Sequence, residues 1–168
     1  MAMKFPVCNK CVKSGSFCDS CKHLSRKGYS KEEIETYKKI HKSVKDMGHL
    51  GDVEIKRVLS NNNFAVIFCK KNDISKIIGK NGIVAKKIEK SLSKKIIIAP
   101  YDSNILDFSK EILRPINIIG VNVVYHGEKS KYIVRIPSSD KNIIKIDPDF
   151  FKHLADEIMK VDVDINFE

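Results

Sequence analysis

Four of the five cysteines in the 168-residue chain lie close together near its start, as two C-x-x-C pairs with a spacer of six. They are Cys8, Cys11, Cys18 and Cys21. Each pair is a short turn that aims two thiolates at one point, and two pairs supply the soft ligands of a tetrahedral zinc site. Because four thiolates fill the coordination shell, the spacing predicts one structural Zn2+ per chain rather than a catalytic metal.

Other interpretations of the cysteines remain open at this point. Iron, a disulfide pair and unliganded thiols are alternatives to zinc. His23 is a competing ligand, although Cys21 completes the second pair more naturally. The fifth cysteine, Cys69, lies in the apolar run FAVIFCK and is expected to be a buried small side chain rather than a nucleophile.

A second chemical pattern is the glycine turn Gly79-Lys80-Asn81-Gly82. Glycine lacks a Cβ, so a chain can turn tightly here and a sugar-phosphate backbone can approach closely. The segment that follows is predicted to be a helix, and a helix presents its positive N-terminal end to phosphate. The pattern therefore favours contact with a polyanion.

Charge is unevenly distributed along the chain, whose formal net charge is +10. Residues 1–99 hold 22 basic against 9 acidic side chains, whereas residues 100–168 hold 9 against 12. A nucleic acid would be attracted mainly to the first three-fifths. The alternative is a lysine-rich solvated surface, since 27 of the 31 basic residues are lysine.

The elements that must position these groups form two similar series. A capping-box pattern at Ser30 and Glu33 predicts a helix of about fifteen residues. Two strands flank three asparagines at 61–63, and then come two short helices around the glycine turn and the strand KKIIIAP. Residues 103–168 repeat the order of helix, strand, strand, helix and strand. We therefore expect an α+β fold with a cysteine segment at 1–29 and domains at 30–101 and 102–168.

These motifs resemble a known family. IIGKNG is similar to the GxxG loop of a KH domain, which clamps about four nucleotides of single-stranded nucleic acid. The element order resembles the type II KH arrangement, and the run KEILRPINIIGVNVVYHGEKSKYIVRIPSSD resembles the junction between the paired KH domains of NusA transcription factors. With the four-cysteine segment in front, nearly the whole chain resembles the archaeal NusA-like proteins.

The resemblance implies two tandem type II KH domains and a protein that binds single-stranded RNA and modulates elongation or termination by RNA polymerase. The residues assigned to RNA contact are Lys76, Ile78, Gly79, Lys80, Asn81, Gly82, Lys86 and Lys87. The candidates for the floor of the base-binding groove are Ile78, Val84, Ile88 and Ile98. Lys56 and Arg57 would prolong the basic track.

The second copy departs from the family pattern. At residues 142–149 it has no glycine and carries Asp147 and Asp149 around a proline, a combination that should repel phosphate. We therefore expect a degenerate second KH domain. The alternative function is a protein–protein adaptor with a vestigial RNA loop, or an RNA-processing or ribosome-associated factor.

Several classes of protein are not favoured. No apolar run reaches the roughly 18 residues that a membrane span needs, and the first residues lack a signal-like pattern, so we expect a cytoplasmic protein with no membrane partner. The five histidines are scattered, and no motif typical of a catalytic site is found. We expect neither enzymatic activity nor a small-molecule substrate.

Overall fold

The structure, a computed structural model, describes residues 3–168, so the first two residues of the predicted segment 1–29 lie outside the described part. The chain divides into two units, Met1–Asp102 and Ser103–Glu168. Each unit contains one three-stranded sheet with helices, which confirms the α+β class. No helix in residues 3–168 is both long enough and apolar enough to span a membrane.

The first unit follows the predicted order after a short helix in the cysteine segment. Its helices and strands are α1 (Asn9–Ser14), α2 (Lys31–Val44), β1 (Ile55–Ser60), β2 (Phe64–Cys69), α3 (Ile74–Ile78), α4 (Ile83–Leu92) and β3 (Lys95–Pro100). The sheet order is β1-β2-β3, with β1 antiparallel and β3 parallel to β2. This sheet and the helices α2, α3 and α4 position the glycine turn.

Helix α2 begins as its sequence predicts but uses one capping residue differently. The Ser30 hydroxyl accepts a hydrogen bond from the Glu33 backbone N–H at 3.1 Å, as expected for an N-cap. The Glu33 carboxylate does not return to the helix start, because it accepts from Tyr37 and Arg57 instead. The buried face of the helix includes Ile34, Tyr37, Ile40 and Val44.

The β1–β2 hairpin turns at the three asparagines, as predicted. The Asn61 side-chain oxygen accepts from the backbone N–H groups of Asn63 and Phe64, at 2.9 and 2.8 Å. Strand β2 is central, so residues 65–69 are completely buried. Cys69 is one of them, and burial raises the pKa of its thiol to about 12, which agrees with an inert small side chain.

The second unit repeats this arrangement. It contains α5 (Ile105–Ile112), β4 (Gly120–His126), β5 (Lys129–Ile136), α6 (Pro148–Met159) and β6 (Asp162–Phe167). The sheet order is β4-β5-β6, again with one antiparallel and one parallel pair. The strand expected from Ile116 begins only at Gly120, because the Ile116 N–H donates to the Leu113 carbonyl in a turn after α5.

The cysteine segment shares the core of the first unit. Cys11, Val12 and Cys21 are buried in one hydrophobic cluster with residues of α2, including Ile34. A parallel bridge also ties the chain start to β1, since the Lys4 carbonyl accepts from the Ile55 N–H at 2.8 Å. The cysteine segment is therefore part of the folded first unit.

Candidate metal centre and nucleic-acid interface

The four predicted cysteines come together at one point. Cys8, Cys11, Cys18 and Cys21 place their Sγ atoms within 4.8 Å of one another. The Cys8 sulfur lies 3.6 Å from that of Cys11 and 3.7 Å from that of Cys18. A tetrahedral zinc with bonds of about 2.3 Å would hold its sulfurs about 3.8 Å apart, so this spacing fits the ion.

Local backbone structure sets the direction of these thiols. Cys8 stands at the N-cap of α1 and Cys11 lies inside that helix, one turn later. The Cys18 backbone N–H donates to the Cys11 sulfur at 3.1 Å, an interaction that stabilises a thiolate ligand. His23 is directed elsewhere, because its Nδ1 lies 2.8 Å from the Ser20 carbonyl oxygen and its ring is outside the cluster.

The pKa values of the four thiols are shifted in different directions. Hydrogen bonding from the Cys11 backbone lowers the pKa of Cys8 to about 6, and hydrogen bonding from Cys11 also lowers the pKa of Cys18. Burial raises the pKa of Cys11 to about 12. A divalent cation held by the four sulfurs would favour the deprotonated form of all four thiols.

The glycine loop, defined as residues 79–82, joins α3 to α4 and needs glycine at its first position. Gly79 has φ 74° and ψ 170°, a backbone region that side-chain-bearing residues avoid. A Cβ there would also lie 2.5 Å from the Val84 Cγ2, which is fully buried. Asn81 adopts a left-handed conformation with φ 54°, which asparagine tolerates better than most residues.

The end of the loop leaves the start of α4 without a side-chain cap. Gly82 is the N-cap of this ten-residue helix and has no side chain to receive its first N–H groups. Nothing lies within 4 Å of the position that a Gly82 Cβ would take. The Ile83 N–H donates to the Lys80 carbonyl within the loop, and no side chain caps the rest of the first turn. The positive end of the helix dipole at this point favours an anion.

The equivalent helix of the second unit is capped by an acid. The Asp147 carboxylate accepts hydrogen bonds from the backbone N–H groups of Asp149 and Phe150, at 2.7 and 3.4 Å. A negative side chain thus occupies the position where a phosphate would bind. The starts of α4 and α6 therefore differ in their side-chain caps.

Most of the predicted basic residues face solvent around the loop. Lys80, Lys86 and Lys87 are exposed. Lys76 is less available, because its ammonium group lies 3.2 Å from the buried carboxylate of Asp73. Ile78 is 41% exposed and lies directly before the loop.

Three residues predicted to lie at the interface cannot do so. Val84 and Ile88 are completely buried in the core, because they occupy the inner face of α4, and they do not form a groove floor. Arg57 is also buried and forms an ion pair with Glu33, so it does not prolong a basic track. Ile98 is half-buried on the outer strand of the sheet.

Two features of the interface escaped the sequence interpretation. Ile83, which is 56% exposed, lies directly after the loop, whereas Ile78 lies directly before it. An open depression of about 610 Å³ lies at the other end of α4, between the β1–β2 turn and the start of β3. The lysines at 86, 90 and 94, spaced four apart, are the sequence signal that could have revealed it.

Comparison with known proteins supports the fold alone. No family model matches the chain, and no curated protein matches it. The chain is similar to a solved structure described as "Crystal structure of APE1850", with a TM-score of 0.62 and 16% sequence identity. The match covers 83% of this chain and all of the other chain. At this identity the likeness extends to the fold and carries no activity with it.

Proposed function

We propose that the chain is an RNA-binding protein of the archaeal NusA-like kind, with tandem type II KH domains of which the first holds single-stranded RNA. The observation that carries this proposal is the contrast between the two loops. The glycine loop leaves the start of α4 uncapped, whereas Asp147 caps α6 in the second unit. Only the first helix start can take a phosphate without displacing a carboxylate.

Binding would rest on the backbone and on lysine. Phosphate oxygens accept from N–H groups of the first turn of α4 beyond that of Ile83, which donates to the Lys80 carbonyl. Lys80 and Lys87 contribute charge from the loop and the helix. Ile78 and Ile83 are exposed on the two sides of the loop and offer apolar contact to bases. The segment 74–92 contains no aromatic residue for stacking, so affinity is modest and strongly salt-dependent.

Zinc is the ion that we assign to the four-cysteine cluster. A set of four soft thiolates at tetrahedral spacing matches the preference of Zn2+ and leaves no open position for catalysis. Bound there, the ion would supply a structural crosslink. Because Cys11 and Cys21 are part of the core of the first unit, this crosslink supports the fold that presents the glycine loop.

The proposed cellular role is in the cytoplasm, on nascent transcript, with RNA polymerase as the protein partner. This step depends on the resemblance of the motifs to NusA-like proteins. The second unit would extend or orient the first without taking RNA through its own loop. Catalysis is not part of the proposal.

The test is a titration of labelled single-stranded RNA at two salt concentrations. The variant is Lys80→Asp/Asn81→Asp, in the glycine loop. The second unit offers a matched control, because Lys141 and Asn142 are the same residue pair in the segment before α6. Lys141→Asp/Asn142→Asp therefore makes the same chemical and charge change at the capped loop, and circular dichroism checks that both variants fold.

We expect salt-sensitive binding by the wild type, loss of binding in the loop variant and near wild-type binding in the control. Equal loss in both variants would mean that net charge alone governs binding. Unchanged binding in the loop variant would refute the proposed site. Absence of binding in all three proteins would favour the adaptor function.

A further inference from the structure

A basic depression lies at the far end of α4 from the glycine loop. Its lining includes Asn62 and Asn63 of the β1–β2 turn and the lysines Lys86, Lys90, Lys94 and Lys95. It is open to solvent and has a volume of about 610 Å³. Glu89 is the one acidic residue among its described lining residues.

The charge of this depression is poorly compensated. Glu89 is directed to the protein, because its carboxylate accepts from the Ile96 N–H at 3.1 Å and lies 3.8 Å from the Lys95 ammonium. Among residues 3–168, no carboxylate oxygen lies within 4.0 Å of the Lys86 or Lys90 ammonium groups. The Lys94 ammonium group lies 3.4 Å from a neutral group, the Ser60 hydroxyl.

The lysines also form a row that begins at the loop. Gly82, Lys86 and Lys90 are each four residues apart, so they follow one another along one face of α4, and Lys94 comes after the helix ends at Leu92 and Ser93 turns the chain. Each step within the helix advances about 6 Å along the axis, which is comparable to the separation of successive phosphates in an extended single strand. Like charges at this spacing destabilise a helix slightly.

The second unit shows what this position looks like without such a row. A depression of about 560 Å³ occupies the same place, between the β4–β5 turn, the end of α6 and the start of β6. Its lining includes Asp156 and Asp162 together with Lys129, Lys131 and Lys160. Three lysines face two acids there, whereas four lysines face one acid in the first unit, so the excess of positive charge is larger in the first unit.

We propose that the depression at the end of α4 binds phosphates of the same RNA strand beyond the nucleotides held at the glycine loop. This inference rests on the proposed function, since the strand enters at the loop. The ammonium groups of Lys86, Lys90 and Lys94 contact successive phosphates, and the amides of Asn62 and Asn63 form the opposite wall of the depression. The affinity of this site thus depends on the length and charge of the RNA rather than on its base sequence.

The test compares a four-nucleotide RNA, sufficient for the loop, with an RNA of about twelve nucleotides. The variant is Lys90→Gln/Lys94→Gln, and the matched control is Lys129→Gln/Lys160→Gln in the second depression, with the same change in net charge. Removal of two phosphate contacts should weaken binding of the longer RNA about tenfold at physiological salt. It should also reduce the slope of the logarithm of the binding constant against the logarithm of the salt concentration by about 1.4. Binding of the four-nucleotide RNA should stay unchanged.

Two outcomes would overturn the inference: wild-type affinity of the Lys90/Lys94 variant for the longer RNA, or an equal loss in the Lys129/Lys160 control. The proposed function is tested separately by the loop variant Lys80→Asp/Asn81→Asp on the four-nucleotide RNA. If the loop variant loses binding of the short RNA while the two glutamine variants bind the longer RNA equally well, the loop site is retained and the depression is rejected.

Discussion

The Nε of Arg57 lies 2.8 Å from the Glu33 carboxylate, and this ion pair joins α2 to strand β1 with only 6% and 3% of the side chains exposed. The same carboxylate accepts from the Tyr37 hydroxyl at 2.6 Å. The guanidinium also donates to the Gly28 carbonyl at 3.3 Å and stacks on the Tyr29 ring at 4.2 Å. One buried group therefore links the end of the cysteine segment to the sheet.

Removal of one member of this pair should be more harmful than removal of both. Arg57→Met leaves the Glu33 charge buried without its partner and should lower the free energy of unfolding by about 3–5 kcal/mol. In Glu33→Leu/Arg57→Met no charge remains to desolvate, so part of that loss should be recovered. Urea denaturation of both variants measures this, and a double variant less stable than Arg57→Met would contradict it.

The two glycines of the loop should differ in their tolerance of alanine. In Gly79→Ala the new Cβ would clash with Val84, and the backbone would have to keep a conformation that alanine avoids. We therefore expect the free energy of unfolding to fall by about 2–4 kcal/mol. Gly82→Ala encounters only the left-handed strain, about 1–2 kcal/mol, because no atom lies within 4 Å. Chemical denaturation of both variants gives the comparison, and equal losses would show that the Val84 contact relaxes freely.

Metal removal should unfold more than the cysteine segment. The purified protein is expected to contain about one zinc per chain, and a strong chelator should lower the melting temperature of the first unit because Cys11 and Cys21 belong to its core. Elemental analysis and thermal melts followed by circular dichroism measure both quantities. Cys8→Ser should reproduce the effect of the chelator, whereas Cys69→Ser should not release metal.

The carboxylate cap of α6 should contribute to stability without contributing to RNA binding. Asp147→Ala removes the acceptor for the Asp149 and Phe150 N–H groups and should cost about 1 kcal/mol. Asp147→Asn keeps an acceptor oxygen and should be close to wild type in thermal denaturation. Equal losses for the two variants would indicate that the cap acts through charge rather than through its hydrogen bonds.

An acidic residue of the second unit should contribute to stability in a pH-dependent way. Hydrogen bonds from Lys131, at 2.6 Å, and from Lys152 hold the pKa of Asp164 below its ordinary value. Its ionised form therefore stabilises the fold above about pH 4, and this stabilisation is lost as pH falls through the lowered pKa. The stability difference between wild type and Asp164→Asn should shrink on acidification.

The control for this titration is Asp162→Asn, whose carboxylate lies 3.7 Å from the Lys131 ammonium. It should change stability less than Asp164→Asn at neutral pH. A difference between wild type and Asp164→Asn that grows as the pH falls would be incompatible with the assigned ion pairs.

The sequence by itself determined the features that depend on local chemistry. Two C-x-x-C pairs aim four thiols at one point, Ser30 begins α2, and the asparagines at 61–63 turn the first hairpin, because each needs only neighbouring residues. The order of helices and strands in both units follows from apolar periodicity in the same way.

Only the tertiary structure decided which side chains remain available. Val84 and Ile88 have the same apolar character as Ile78, yet packing against the sheet buries them and leaves Ile78 exposed. Arg57 was expected on a basic surface, but its ion pair with Glu33, 24 residues earlier, places it in the core. The basic depression forms only where α4, the β1–β2 turn and β3 meet, because burial and charge compensation depend on residues distant in the chain.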